Sequence, residues 1–240
     1  METRYDIIVW GSSPRGIARA ISLKNSGKSV LLASRFGFPG GKHTESLSAF
    51  FGTTSTSEDS LEQKLVSRAA ALPFGILHQS SSGILLHPEI IKRICWEWIN
   101  ESGIAALFHV MPAGIENLNK ELEVNFFGRE GLISFRAGAV ENHADNIPFS
   151  GIQPVKDYNM LIHALFTDPL PAKMPGFNLV RNIETAIGRY LIISLRRVKG
   201  SELDNTFNRE LNRLSIEGWS KYRSRIMMIP VYPEIKLADT

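Results

Sequence analysis

Short apolar runs alternate with stretches of helical spacing along the first half of the chain. Asp6-Ile-Ile-Val-Trp10 is a continuous apolar run, the pattern of a parallel strand buried on both faces. The next segment sets Ile17, Ala20, Ile21 and Lys24 on one side of a helix, and Gly27 supplies its stop. Ser29-Val-Leu-Leu-Ala33 reads as a second buried strand. Helical spacing returns over Glu58 to Ala71 through Leu61, Leu65 and Ala69, and again from His87-Pro88-Glu89 to Ser102. Proline suits the first turn of that second helix, where its missing N–H is not needed. Ile104 to Val110 predicts another buried strand. Glu121 to Phe127 and Leu132 to Arg136 alternate as the arms of a hairpin around Gly128-Arg-Glu-Gly131. Ser46 to Thr56 predicts a loop, and Pro73 to Gly83 irregular chain with one short strand. Pro148, Pro154, Pro169, Pro171 and Pro175 predict irregular chain from Pro148 to Gly176. Beyond it come a buried strand over Arg189 to Lys199 and a helix from Phe207 to Met228, striped by Phe207, Leu211, Leu214, Trp219, Tyr222 and Ile226.

The first strand, turn, helix and second strand form the front half of a dinucleotide-binding unit. Its turn reads Gly11-Ser12-Ser13-Pro14-Arg15-Gly16, one glycine short of G-x-G-x-x-G. Gly11 can make the tight turn and Gly16 can let helix and strand approach. Ser13 stands where the backbone should meet a pyrophosphate. Ser34 stands where an acid would grip the adenosine ribose, with Arg35 beside it. A second glycine turn follows at Gly40-Gly41, continuing into Lys42-His43-Thr44, where a flavin's phosphates would lie. Arg15 in the first turn of a helix opposes the macrodipole unless an anion sits there.

Composition narrows the alternatives. A chain of 240 residues, 43% hydrophobic and 21% charged, is long enough for one large or two small domains with a sizeable core. A net charge of +3 and a pI near 9.0 suit phosphate-bearing ligands, and no concentrated basic block points to nucleic acid. The one cysteine, Cys95, excludes an intramolecular disulfide, and the six histidines lack metal-ligand spacing. No apolar run approaches the ~20 residues of a membrane span. The first strand begins within about five residues of Met1, too soon for a signal peptide of ~15–30 residues, so the expected location is the cytoplasm.

Taken together, Phe36-Gly-Phe-Pro-Gly-Gly41 with Thr44-Glu-Ser46, the His87 to Gly103 helix, and the later strand and helix at Leu191 to Gly200 and Leu211 to Gly218 resemble one flavoprotein family. It is that of the FAD-dependent oxidoreductases with two dinucleotide-binding domains, distantly related to fumarate reductase flavoproteins. The resemblance implies an α/β fold: a Rossmann-like FAD/NAD(P)-binding domain of three-layer ββα architecture over residues 1–147, and a smaller, incomplete substrate or cap domain over 148–240. It implies FAD as cofactor, and it aligns Asp145, in Glu141-Asn-His-Ala-Asp145, with the family's acid near the ribityl and phosphates. Ala144 replaces a close-approach glycine there. The chain stops at Thr240, before the family's closing segment, from which a homodimer or a partner subunit is expected. Three readings remain open at this stage: a small flavin oxidoreductase, an NADP protein using Ser34-Arg35, and a non-catalytic relative retained as a structural or partner subunit. No catalytic residue is assigned.

Overall fold

The computed structural model describes residues 3–52, 61–167, 178–213 and 226–238. In chain order its elements are β1 (Arg4–Trp10), α1 (Pro14–Asn25), β2 (Val30–Ala33), α2 (Lys42–Glu45), β3 (Phe50–Gly52), α3 (Leu61–Ala70), β4 (Ile76–Ser80), β5 (Gly83–Leu86) and α4 (Pro88–Ser102). There follow β6 (Ala105–Leu107), β7 (Met111–Leu118), β8 (Glu121–Gly128), β9 (Gly131–Asn142), β10 (Asp157–Phe166), β11 (Leu179–Thr185), β12 (Gly188–Lys199), α5 (Leu203–Arg213), β13 (Ile226–Met228) and β14 (Glu234–Leu237). The chain forms two compact units: Met1–Gly41, Ser57–Leu65 and Glu89–Gly151, and Lys42–Thr56, Val66–Pro88 and Ile152–Thr240.

The first unit holds a six-stranded sheet in the order β6-β2-β1-β9-β8-β7. Its β6, β2, β1 and β9 are parallel neighbours, and β9, β8 and β7 form an antiparallel meander. The sheet turns on β9, whose first half pairs with β8 and whose second half, from Arg136 to Asn142, pairs with β1. Alternation along β1 sends Ile8 and Trp10 to one face, where they meet Phe126 and Phe135 of the meander in a buried cluster. Helix α1 packs on β1 and β2, with Ile17, Ala20 and Leu23 buried. The result is a three-layer α/β arrangement of meander, parallel sheet and helix, the Rossmann-like class expected. Helix α4 buries Ile91, Ile94, Cys95 and Ile99. Burial pushes the Cys95 thiol up to about 12, so it is an inert core group.

The second unit holds a five-stranded sheet, β11-β12-β10-β13 with β14 also on β10, and a three-stranded sheet, β3-β5-β4. Backbone bonds such as Ala186 N–H to Leu77 O, 2.9 Å, join the two sheets.

Several local expectations need correction. The buried stripe of α1 ends on Leu23, not on Ile21 and Lys24; Lys24 is exposed and its ammonium reaches the carbonyl of Gly103. The strand at Ile104–Val110 is regular only over Ala105–Leu107, because His109 takes a left-handed φ of 59° and redirects the chain into β7. The loop expected over Ser46 to Thr56 contains strand β3, and Pro73 to Gly83 holds the whole of β4 and the first residue of β5. The proline-rich span contains the ten-residue strand β10, since no proline falls between Pro154 and Pro169. The helix expected over Phe207–Met228 starts earlier, at Leu203, and Ile226–Met228 is a strand on β10. Leu214, Trp219 and Tyr222 of its stripe lie outside the described residues.

Candidate functional site

Three separate segments of the first unit converge at the C-terminal end of β1. The first is the turn Gly11–Gly16. Gly11 adopts φ +105°, and a Cβ there would lie 2.4 Å from the Ala144 backbone nitrogen. A Cβ on Gly16 would fall 2.1 Å from the Gly11 carbonyl. Both glycines are therefore required by close backbone approach. The second segment is the Gly40-Gly41 turn, held by a bond from Gly40 N–H to Ser12 O at 2.8 Å. A Cβ on Gly41 would meet Asp145 Oδ2 at 2.5 Å and Ser13 Cβ at 2.7 Å. The third segment is His143-Ala144-Asp145.

Trp10 holds the third segment in place. Its carbonyl accepts from His143 N–H at 2.7 Å, and its indole Nε1–H donates to Ile147 O at 3.1 Å. The same ring stacks on Phe126 at 5.9 Å and meets Phe149 edge-on at 5.8 Å. A tryptophan ending a buried strand has one polar atom to satisfy, and here that requirement fixes the backbone on both sides of Asp145.

Ser13 is the N-cap of α1. Its Oγ accepts from Gly16 N–H at 3.2 Å and donates to His143 O at 3.0 Å. The hydroxyl is thus turned onto protein groups, and what serine adds beyond glycine at this approach is mainly its Cβ. Pro14 occupies the first helical position, and the first turn of α1 carries no acidic residue. Arg15 is exposed beside it. Ser12, Ser13 and Ser34 are all buried. Ser12 Oγ donates to Ser34 Oγ at 3.0 Å, and Ser34 N–H donates to Leu107 O at 2.9 Å. The guanidinium of Arg35 lies 5.7 Å from the centre of the Phe36 ring.

Of the expected site residues, the structure therefore brings together Gly11, Ser12, Ser13, Pro14, Gly16, Ser34, Gly40, Gly41 and Asp145, with Arg15 and Arg35 on the adjoining chain. Lys42, His43 and Thr44 belong to the second unit. There the His43 Nδ1–H donates to Ser48 O at 2.6 Å and its ring stacks on Phe51 at 4.6 Å. Lys42 Nζ lies 3.9 Å from Glu234, and Thr44 is buried.

Sequence reasoning missed the charged chain beside the turn. Arg19 grips Glu141 through two bonds of 2.8 Å, and His143 Nε2 lies 3.2 Å from the same carboxylate. The Arg19 hydrogen bond holds Glu141 well below the usual carboxylate range, at about 2. Its only trace in sequence is the i, i+2 spacing of Glu141, in β9, and His143, just past its end, which extended chain puts on one side.

A dinucleotide would find part of what it needs here. The N-terminus of a twelve-residue helix without acids, flanked by glycine turns and an exposed arginine, suits a diphosphate. Asp145, against Gly41, offers a carboxylate acceptor for a hydroxyl. No acid stands at the ribose position, where Ser34 is already engaged by Ser12. The residues present fit the diphosphate half of the group and lack the usual grip on the adenosine ribose. Among the described residues no cluster of His, Cys, Asp or Glu is arranged to hold a metal, and no helix is long and apolar enough to cross a membrane.

Residues 6–140 match the family model described as FAD dependent oxidoreductase. No curated protein sequence matches the chain significantly. Among solved structures, CabE, an aromatic hydroxylase from angucycline biosynthesis, superposes with a TM-score of 0.57 at 15% identity, over 98% of this chain and 53% of that one. AlpK gives 0.54 at 17% identity, over 81% and 44%. The p-nitrophenol 4-monooxygenase PnpA from Pseudomonas putida DLL-E4 gives 0.54 at 13% identity, over 90% and 63%. At these identities the likeness is one of fold, and the chain spans about half the length of the structures it matches.

Proposed function

The chain belongs to the FAD-dependent oxidoreductase family, and on that premise we propose that it binds FAD and serves oxidation or reduction of a small organic molecule. The observation that carries this reading is the convergence of Gly11, Gly16, Gly41 and Asp145 at the N-terminus of α1. Bound flavin supplies the redox chemistry, as it does throughout such proteins. The chain's own groups have simpler tasks. The α1 N-terminus and the glycine turns receive the diphosphate, Arg15 adds a compensating cation, and Asp145 accepts a hydrogen bond from a ribityl hydroxyl. Visible absorbance of the freshly purified protein, followed by titration with FAD, tests the reading. Yellow protein or saturable FAD binding supports it; colourless protein indifferent to FAD refutes it.

A second reading, a non-catalytic relative that keeps the fold for structural or partner purposes, draws support from Ser34. A serine bonded to Ser12 cannot replace a carboxylate on the ribose. Colourless protein that also ignores NADP would favour this reading over a nicotinamide protein using Ser34 and Arg35.

A further inference from the structure

The second unit buries a polar chain that the flavin reading leaves unused. His163 on β10, Tyr190 on β12 and Glu234 on β14 are each at most 4% exposed. Tyr190 OH donates to Leu47 O at 2.6 Å, so its oxygen must accept from His163 Nδ1–H, 2.7 Å away. His163 Nε2 lies 2.9 Å from Glu234 Oε2, which also accepts from Ser48 Oγ at 2.9 Å. Lys236 Nζ at 3.2 Å and Lys42 Nζ at 3.9 Å face the other carboxylate oxygen, and Arg181 acts on Tyr190 from β11. Burial alone would raise the Glu234 carboxyl, but the His163 bond and the surrounding cations hold it well below its usual range. Burial pushes the Tyr190 hydroxyl up, so it remains a donor. His163 therefore bridges the two, with the phenol oxygen at one ring nitrogen and the Glu234 carboxylate at the other.

Both outward ends of this chain grip one stretch of backbone. Leu47, held through its carbonyl by Tyr190, has a left-handed φ of 56°, a costly conformation for leucine that persists only where surroundings enforce it. Ser48 is held by Glu234, and the Glu45 carbonyl accepts from Val231 and Tyr232 N–H at 3.0 and 3.1 Å. Buried charge of this kind adds little to net stability. Its worth here lies in fixing one conformation.

We propose that Tyr190, His163 and Glu234 are positioning residues that latch Lys42–Ser48, the chain continuing directly from the Gly40-Gly41 turn, and thereby set the affinity of that turn for FAD. This rests on the flavin reading above, and the test separates the two. Wild type and Tyr190→Phe are compared by amide hydrogen exchange and by FAD titration at a temperature where both are fully folded. A second pair, His163→Gln and Glu234→Gln, guards against one variant failing to fold. The latch predicts a loss of protection confined to amides 42–49, and FAD binding roughly fivefold to tenfold weaker, about what one lost buried hydrogen bond costs. A merely structural role would lower the melting temperature with the FAD dissociation constant unchanged, or loosen exchange uniformly, and either result overturns the proposal. Should wild type fail to bind FAD, the flavin reading falls, and the exchange pattern alone decides whether the latch exists.

Discussion

Replacing Ser13 by glycine should weaken the fold and strengthen FAD binding in the same protein. The hydroxyl makes two bonds, to Gly16 N–H at 3.2 Å and to His143 O at 3.0 Å. Exchanging a serine N-cap for glycine costs only about 0.3 kcal/mol. Losing the bond to His143 O costs about 1 kcal/mol. For a chain of this length the sum lowers the melting temperature by roughly 3–5 °C. Against that, the Cβ leaves the closest approach between the turn and a diphosphate. Relief of about 1 kcal/mol of crowding tightens binding roughly fivefold. The assay is a flavin fluorescence titration alongside thermal melts with and without FAD. Ser13→Ala is the control that separates the two effects: it keeps the Cβ and loses the hydroxyl, so it should lose stability without gaining affinity. A folded Ser13→Gly protein that binds FAD no more tightly than wild type would refute the placement of the diphosphate at this turn.

Other expectations follow from the same geometry. Arg15→Glu should weaken FAD binding about tenfold or more by opposing an anion at the helix N-terminus, read by titration; unchanged affinity removes Arg15 from the site. Gly41→Ala forces a Cβ to within 2.5 Å of Asp145 Oδ2 at a φ of +56° and should cost about 2–4 kcal/mol in urea unfolding. The Glu234 carboxylate, depressed below its ordinary 4.5 in the folded state, contributes stability that is complete above that value and is lost as the pH falls through the lower folded one. The stability gap between wild type and Glu234→Gln should therefore be constant above about pH 5 and shrink on acidification. A gap that widens in acid would mean that Glu234 is not ionised in the folded protein.

The parts of the fold legible in sequence are those whose signal is local. β1, α1, β2 and α4 announce themselves through apolar runs and periodicity within a few turns of chain, and the absent ribose acid is visible as Ser34. Strand β10 was obscured because prolines on either side of it masked a proline-free run of ten residues. The stripe expected from Phe207 to Ile226 fits a helix by spacing alone, yet Ile226–Met228 pairs with β10, a partner some sixty positions earlier in the chain. The site divides in the same way. Gly11 and Gly41 are marked by the turns they make, and Gly16 by its spacing from Gly11. The Ser12–Ser34 bond, the Trp10 mooring of Ile147 and the Tyr190–His163–Glu234 chain join residues 22 to 137 positions apart, and no local pattern encodes them. A histidine inside the apolar run Met160 to Phe166 was the one local hint of the last.

The two bonds from Trp10 make the strap between them a measured length. Surface connections ordinarily absorb insertions and deletions with little effect. Here the strap begins at His143 N–H and ends at Ile147 O, both fastened to one residue, so a single added or deleted position must release one end or bow the middle. Either change moves Asp145, which lies between. Residues 143–147 thus behave as a gauge block whose length is set by those two bonds, and for folding stability substitutions should be far better tolerated there than any change in residue count.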